Sequence, residues 1–194
     1  MKRPARWIAL VLLASGLLLA GAACPAGAAP SGSAASAPAQ ASFILAADIA
    51  IRSAPRALAV ADFNRDGRPD LAVLNSGGTV TTLLGLGGGS FGARHIVAVP
   101  RSANTLAVAD VNGGGKPDLI VGASASGKPA SVSVLLGRGD GTFRRARSYF
   151  LGLTGLTGWI TPTFGDLNGD ARPDIVTAYN DRVAVLINRG AGIF

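Results

Sequence analysis

One twelve-residue pattern occurs three times and constrains the fold more than any other feature: Asp62 to Val73 (DFNRDGRPDLAV), Asp110 to Val121 (DVNGGGKPDLIV) and Asp166 to Thr177 (DLNGDARPDIVT). The leading aspartates are 48 and then 56 residues apart. A second match follows each loop without a gap: Val80 to Phe91, Val132 to Phe143 and Val183 to Phe194. Phe43, Phe91, Phe143 and Phe194 thereby divide the chain into units of 48, 52 and 51 residues. A period of that size belongs to propellers and solenoids, not to one globular core.

Within each unit the apolar runs are too short for helices. Leu58 to Ala61, Leu71 to Leu74 and Val80 to Leu84 are each bounded by Gly, Asn, Asp or Pro, and read as strands. A fourth strand fits Arg94 to Val99, which makes about four strands per unit, the content of a propeller blade. Composition agrees, because a chain with no Glu, three Lys, one Met and 27 Gly lacks the straight-chain residues that cover helix surfaces. The apolar fraction of 48% still permits a core. The columns Gly87, Gly139, Gly190 and Gly89, Gly141, Gly192 fall in one turn, where positive φ would explain glycine in every unit. The expected fold is all-β, a propeller-like array of three four-stranded blades spanning residues 43–91, 92–143 and 144–194.

The loops carry the chemistry. In the first, Asp62, Asn64, Asp66 and Asp70 place side-chain oxygens at positions 1, 3, 5 and 9, and the backbone carbonyl of Arg68 adds position 7. Hard oxygen ligands at this spacing suit calcium. The second loop keeps Asp110, Asn112 and Asp118 but has Gly114 at position 5, so weak or no binding is expected there. The third keeps Asp166, Asn168, Asp170 and Asp174, with the Arg172 carbonyl, but Ala171 replaces the glycine at position 6. The expected affinity order is first, third, second. An EF-hand is excluded, because it needs a glutamate at position 12, where this chain has Val73, Val121 and Thr177.

Ahead of the repeats, Lys2, Arg3 and Arg6 precede an uncharged run from Trp7 to Ala23, the layout of a secretory signal over residues 1–24. Gly21-Ala22-Ala23-Cys24 resembles a lipobox with Gly in place of the usual branched residue. Two routes stay open: lipid attachment at Cys24, giving a membrane tether, or cleavage at a small-x-small site. Both predict a secreted or cell-surface protein. Residues 25–42 are almost entirely Ala, Pro, Ser and Gly and read as a linker. The lone cysteine excludes an internal disulfide.

Taken together, the Asp-x-Asn-x-Asp-Gly-x-Pro-Asp loop, the run Gly139 to Phe143 (GDGTF) and the Phe91-Gly92-Ala93 element resemble the FG-GAP or VCBS repeat family, found in integrin α-chain propellers and secreted bacterial proteins. The resemblance covers residues 43–194 and implies calcium-stapled blades with a structural metal and a role in adhesion or ligand binding. Family propellers commonly have about seven blades, and three cannot close a ring, since closure takes roughly four to eight. Open strand edges invite association, so two readings stay open: other copies or a partner complete the ring, or, the preferred reading, the chain is an incomplete arc or a truncated non-catalytic fragment of a larger extracellular protein or enzyme.

Other functions are weighed against this inventory. Eight of 11 aspartates sit in the loops, leaving Asp48, Asp140, Asp181 and a single His95, which argues against an enzyme. The basic residues that survive signal removal are scattered apart from Arg144, Arg145 and Arg147, which argues against nucleic acid. The expected partner is an extracellular protein or a glycan. Extra residues in the third unit surround Trp159, which either stacks on a sugar ring or fills core.

Overall fold

The computed structural model describes residues 48–51, 53–152, 159–179 and 181–194. The leader, the linker, Cys24 and Phe43 lie outside them. Among the described residues there is no helix, and the strands are β1 (Pro55–Ala61), β2 (Asp70–Asn75), β3 (Thr79–Gly87), β4 (Ser90–Ala98), β5 (Ala103–Ala109), β6 (Asp118–Ala123), β7 (Ser131–Leu135), β8 (Arg147–Phe150), β9 (Thr161–Gly165), β10 (Asp174–Tyr179) and β11 (Arg182–Leu186).

They form three antiparallel sheets, β1-β2-β3-β4, β5-β6-β7-β8 and β9-β10-β11, with every strand beside its neighbours in sequence. This is the propeller-like array of blades that the repeats predict. The first two blades have the expected four strands, whereas the third has three among the described residues. The outermost strand explains the difference: β4 contains Phe91 and β8 follows Phe143, so each of the first two sheets crosses a boundary between repeats. Arg94 to Val99 thus closes the preceding blade, pairing as Thr81↔Ile96 and Thr82↔His95.

The second blade is apolar on both faces, because it is sandwiched between the other two. On β1 the small residues Ala57, Ala59 and Ala61 turn toward the second blade. Register carries that face outward through Ala59↔Ala72 and Leu74↔Val80. The second blade answers with Leu106, Val108, Leu119, Val121 and Leu135, and Phe63 meets Phe143 edge-on at 5.5 Å. Its other face, with Val111, Ile120, Val132 and Val134, packs on Phe164, Ile175 and Leu186 of the third blade. Full burial of side chains of this size stabilises by about 1.5–3 kcal/mol each. The innermost strands touch in series, β1 against β5 and β5 against β9. That leaves the three Asp loops, each linking an innermost strand to the next, in equivalent places on successive blades.

Candidate metal centre

In the first loop, three side chains converge on a short stretch of backbone. Asp62 accepts from the N–H of Asp66 at 3.1 Å and of Gly67 at 2.8 Å. Asn64 Oδ1 accepts from the same Asp66 N–H at 3.1 Å, so oxygens from positions 1 and 3 meet at one point. The Asn64 amide donates to Asp66 Oδ2 at 3.0 Å, and Asp66 Oδ1 accepts from the Arg68 N–H at 2.9 Å. That N–H, with help from the Asn64 amide, holds the Asp66 carboxyl below the usual aspartate range, so it stays anionic at the surface. Gly67 has φ 82°, the left-handed conformation its place in the turn requires.

The third loop repeats this network. Asp166 accepts from Gly169, Asp170 and Ala171 at 2.7, 3.1 and 2.8 Å, and the Ala171 N–H is the largest cause of its lowered pKa. Asn168 again bridges to Asp170 at 3.0 Å. Two differences set it apart from the first loop. Ala171 is forced to φ 63°, and Arg172 forms an ion pair with Asp170 at 3.4 Å, placing a cation of the chain's own on that carboxylate. In the second loop Asp110 keeps its bonds to Gly114 and Gly115. Gly114 offers no carboxylate, and the Asn112 amide turns inward to Asp118 at 3.4 Å.

Position 9 stands apart from the other three. Asp70 is fully buried, and both of its oxygens are engaged by backbone: Oδ2 accepts from Phe63 at 2.8 Å and Oδ1 from Gly85 at 2.7 Å. Asp118 does the same with Val111 and Gly137, and Asp174 with Leu167 and Asn188. Each carboxylate thus fastens the start of its loop to the third strand of its own blade, at Gly85, or to the residues just past that strand, at Gly137 and Asn188. Burial pushes the Asp118 pKa up to about 6, against the opposing pull of the Gly137 and Val111 N–H groups. At the receiving position, a Cβ on Gly85 or Gly137 would overlap the carbonyl oxygen of Pro69 or Pro117. The third blade carries Asn188 there and turns its amide to the Pro173 carbonyl at 3.1 Å.

The donor set can therefore be tested against a cation. Among the described residues no three His, Cys, Asp or Glu side chains stand together as a metal cluster. The first and third loops instead present two carboxylates and one amide, all hard oxygen donors: Asp62, Asn64, Asp66 and Asp166, Asn168, Asp170. Such a set fits a hard divalent cation at modest affinity. Arg68 and Arg172, expected through their carbonyls, enter these networks through N–H groups that donate to Asp66 and Asp170 at 2.9 Å. The position 9 aspartates serve as braces in this geometry. Sequence reasoning reached the loop positions but missed position 4, where Arg65, Gly113 and Gly169 all have positive φ.

The loops also meet the glycine turn of the following blade. The Gly141 N–H donates to the Phe63 carbonyl at 3.1 Å, and Gly141 sits against Leu84 as Gly192 sits against Leu136. The sequence that builds these loops and strands matches the model of the FG-GAP-like repeat, which aligns to residues 62–121 and again to 110–177. The chain belongs to this family. No curated protein matches it.

Trp159 is exposed, not core. With Arg56 and Asn104 it lines a cavity of about 380 Å³ beside the innermost strands. Arg56 donates to the Ala103 carbonyl at 2.9 Å, while the buried Asn104 Oδ1 accepts no hydrogen bond among the described residues.

Proposed function

We propose that this FG-GAP-like repeat chain is an exported, non-catalytic binding module whose blades are stiffened by calcium and which engages extracellular proteins in adhesion. The observation that carries this reading is the convergence of Asp62, Asn64 and Asp66 oxygens in an exposed loop, with the same arrangement in the third blade. Calcium held there supplies charge neutralisation, relieving the repulsion between paired carboxylates. With a dissociation constant of about 0.1–1 mM, usual for extracellular modules, roughly 1 mM calcium stabilises by about 0.4–1.4 kcal/mol per site. The basic, then apolar, leader supports export. The bulk of the aspartates is committed to loop geometry and braces, which supports a binding role over catalysis. Thermal unfolding of the full chain in calcium and in chelator tests the reading. The midpoint should rise with calcium, lose much of that rise in Asp66→Ala and a smaller part in Asp170→Ala. Identical midpoints in both conditions would exclude calcium stiffening.

A second reading, glycan binding, is favoured by Trp159 alone, exposed at a cavity that Arg56 and Asn104 also line. An aromatic face with adjacent hydrogen-bonding groups suits a sugar ring. Trp159→Ala should abolish binding on a glycan array without moving the unfolding midpoint, and retained binding would rule the site out.

A further inference from the structure

The two junctions between blades differ in charge although the same repeat positions build them. At the first stand two exposed carboxylates, Asp66 in the loop and Asp140 in the glycine turn that caps it. At the second, repeat register puts Gly114 in the place of Asp66 and Ala191 in the place of Asp140. Arg144 stands where the first junction has Gly92, and Lys116 where it has Arg68. The second junction thereby loses both carboxylates and gains a cation.

Lys116, Arg144, Gly114 and Ala191 line an open cleft of about 300 Å³. Past Leu136, Arg144 and Ala191 it continues into a second cleft of about 330 Å³, which Arg145 and Arg147 also line. None of these four cations has an ion-pair partner among the described residues. The nearby carboxylates are already engaged by backbone: Asp110 accepts from the Gly114 and Gly115 N–H groups, and Asp118 from Val111 and Gly137. Lys116 Cδ and Arg65 Cδ lie 3.2 and 3.3 Å from where a Cβ on Gly139 would stand, which brings a further cation close. The Arg147 guanidinium is steadied over the Tyr149 ring at 5.6 Å. The corresponding cleft of the first junction, lined by Thr82, His95 and Thr142, stays open with β8 in place, so a fourth strand on a blade does not close this groove.

We propose that the groove at the second junction binds an acidic polysaccharide, whose sulfate or carboxylate groups meet Lys116, Arg144, Arg145 and Arg147 in turn. A sugar polymer offers anions at regular intervals, and arginine forks take such groups bidentately. Gly114 and Ala191 leave the floor free of the carboxylates that would repel it. No aromatic side chain lines either cleft among the described residues, so the stacking platform that single-stranded nucleic acid uses is missing. The choice of a polysaccharide rests on the export proposed above, whereas the charge of the groove does not.

Calorimetric titration of the purified full chain in chelator tests this, with heparin as the sulfated probe and polygalacturonate as the carboxylated one. Purified chain reports the groove whether or not the leader directs export. At least one polymer should bind, and more weakly as salt rises. Lys116→Gln/Arg144→Gln should weaken binding by about tenfold or more, as loss of charged hydrogen bonds does. Ala191→Asp, which restores the carboxylate of the first junction, should weaken it as well. Arg101→Gln/Lys128→Gln removes the same charge from exposed turns at the other end of the strands and should stay within about twofold of wild type. Binding of neither polymer overturns the proposal, as does affinity unchanged in Ala191→Asp or in Lys116→Gln/Arg144→Gln. An equal loss in both double variants also overturns it, because net charge alone would then be read. Tighter binding of polyaspartate or duplex DNA overturns it in favour of another class of partner. Circular dichroism verifies folding. If Lys116→Gln/Arg144→Gln loses sheet signal, Arg145→Gln/Arg147→Gln, which leaves the Asp loop intact, replaces it under the same criteria.

Discussion

The side-chain amide of Asn188 donates to the backbone carbonyl of Val111 at 2.7 Å, joining the third blade to the Asp loop of the second. In the preceding pair of blades the same carbonyl position, at Phe63, is met by the backbone N–H of Gly141. One interblade contact is thus made by two different donors. The switch follows from Asn188 standing where the other blades have Gly85 and Gly137.

Asn188→Ala removes this bond and the one to Pro173, leaving two buried carbonyls short of a donor. The expected loss is about 2–3 kcal/mol. Urea unfolding in chelator, compared with wild type, measures it; a loss under about 0.5 kcal/mol would mean that the interblade contact is held by apolar packing alone.

Asp70→Ala and Asp66→Ala should behave differently although they belong to one loop. Asp70 holds two buried N–H groups, at Phe63 and Gly85, so its loss should cost about 3–5 kcal/mol with or without calcium. Asp66 is exposed, and its loss should be felt chiefly when calcium is present. Unfolding midpoints of both variants in calcium and in chelator distinguish a brace from a ligand. Equal calcium dependence in the two would place position 9 among the ligands.

Ala171→Gly should stabilise the chain. Ala171 is held at φ 63°, where a Cβ costs about 1–2 kcal/mol, less roughly 0.5–1 kcal/mol for the added freedom of glycine in the unfolded chain. A net gain of up to about 1.5 kcal/mol is expected by chemical denaturation, the offset excluding a larger one. A loss would show that the Cβ makes a compensating contact.

Asp118 should give the chain a pH dependence opposite to that of its surface aspartates. Its folded pKa of about 6 lies above the ordinary value of 3.8, so folding takes up a proton. The stability this confers is complete below about pH 4 and is lost as pH rises through about 6. Asp66 and Asp166, whose values are lowered, lose theirs only as pH falls below the ordinary range. Unfolding free energies of wild type and Asp118→Asn in chelator, at about pH 4 and about pH 7, isolate the group. The wild-type value should fall relative to the variant by on the order of 2 kcal/mol, and a parallel pair of profiles would place the titration elsewhere.

The blades and their turns are legible in the sequence because they rest on local chemistry. Gly67 and the glycine columns at 87–89, 139–141 and 190–192 mark backbone that only glycine adopts cheaply, and the apolar runs around them are too short for helices. The role of Asp70 is not legible in the same way. A carboxylate at loop position 9 has one chemistry whether it faces a cation or the N–H of Gly85, and only the register of β3 against the loop brings that N–H to it. Phase is hidden for a similar reason: Arg94 to Val99 reads as a strand, but its pairing to β3 instead of to the following loop is a matter of tertiary contact. Trp159 has an aromatic ring suited to core or surface, and the fold decides for the surface.

The three braces also bear on how the chain acquires its structure. Asp70 to Gly85, Asp118 to Gly137 and Asp174 to Asn188 close loops of only 15, 19 and 14 residues, each within one blade. Short closures carry little entropic cost, and topologies rich in them fold quickly for β proteins. Each sheet can therefore nucleate around its own aspartate before any neighbour is in place, and the slow event is the docking of finished blades face to face.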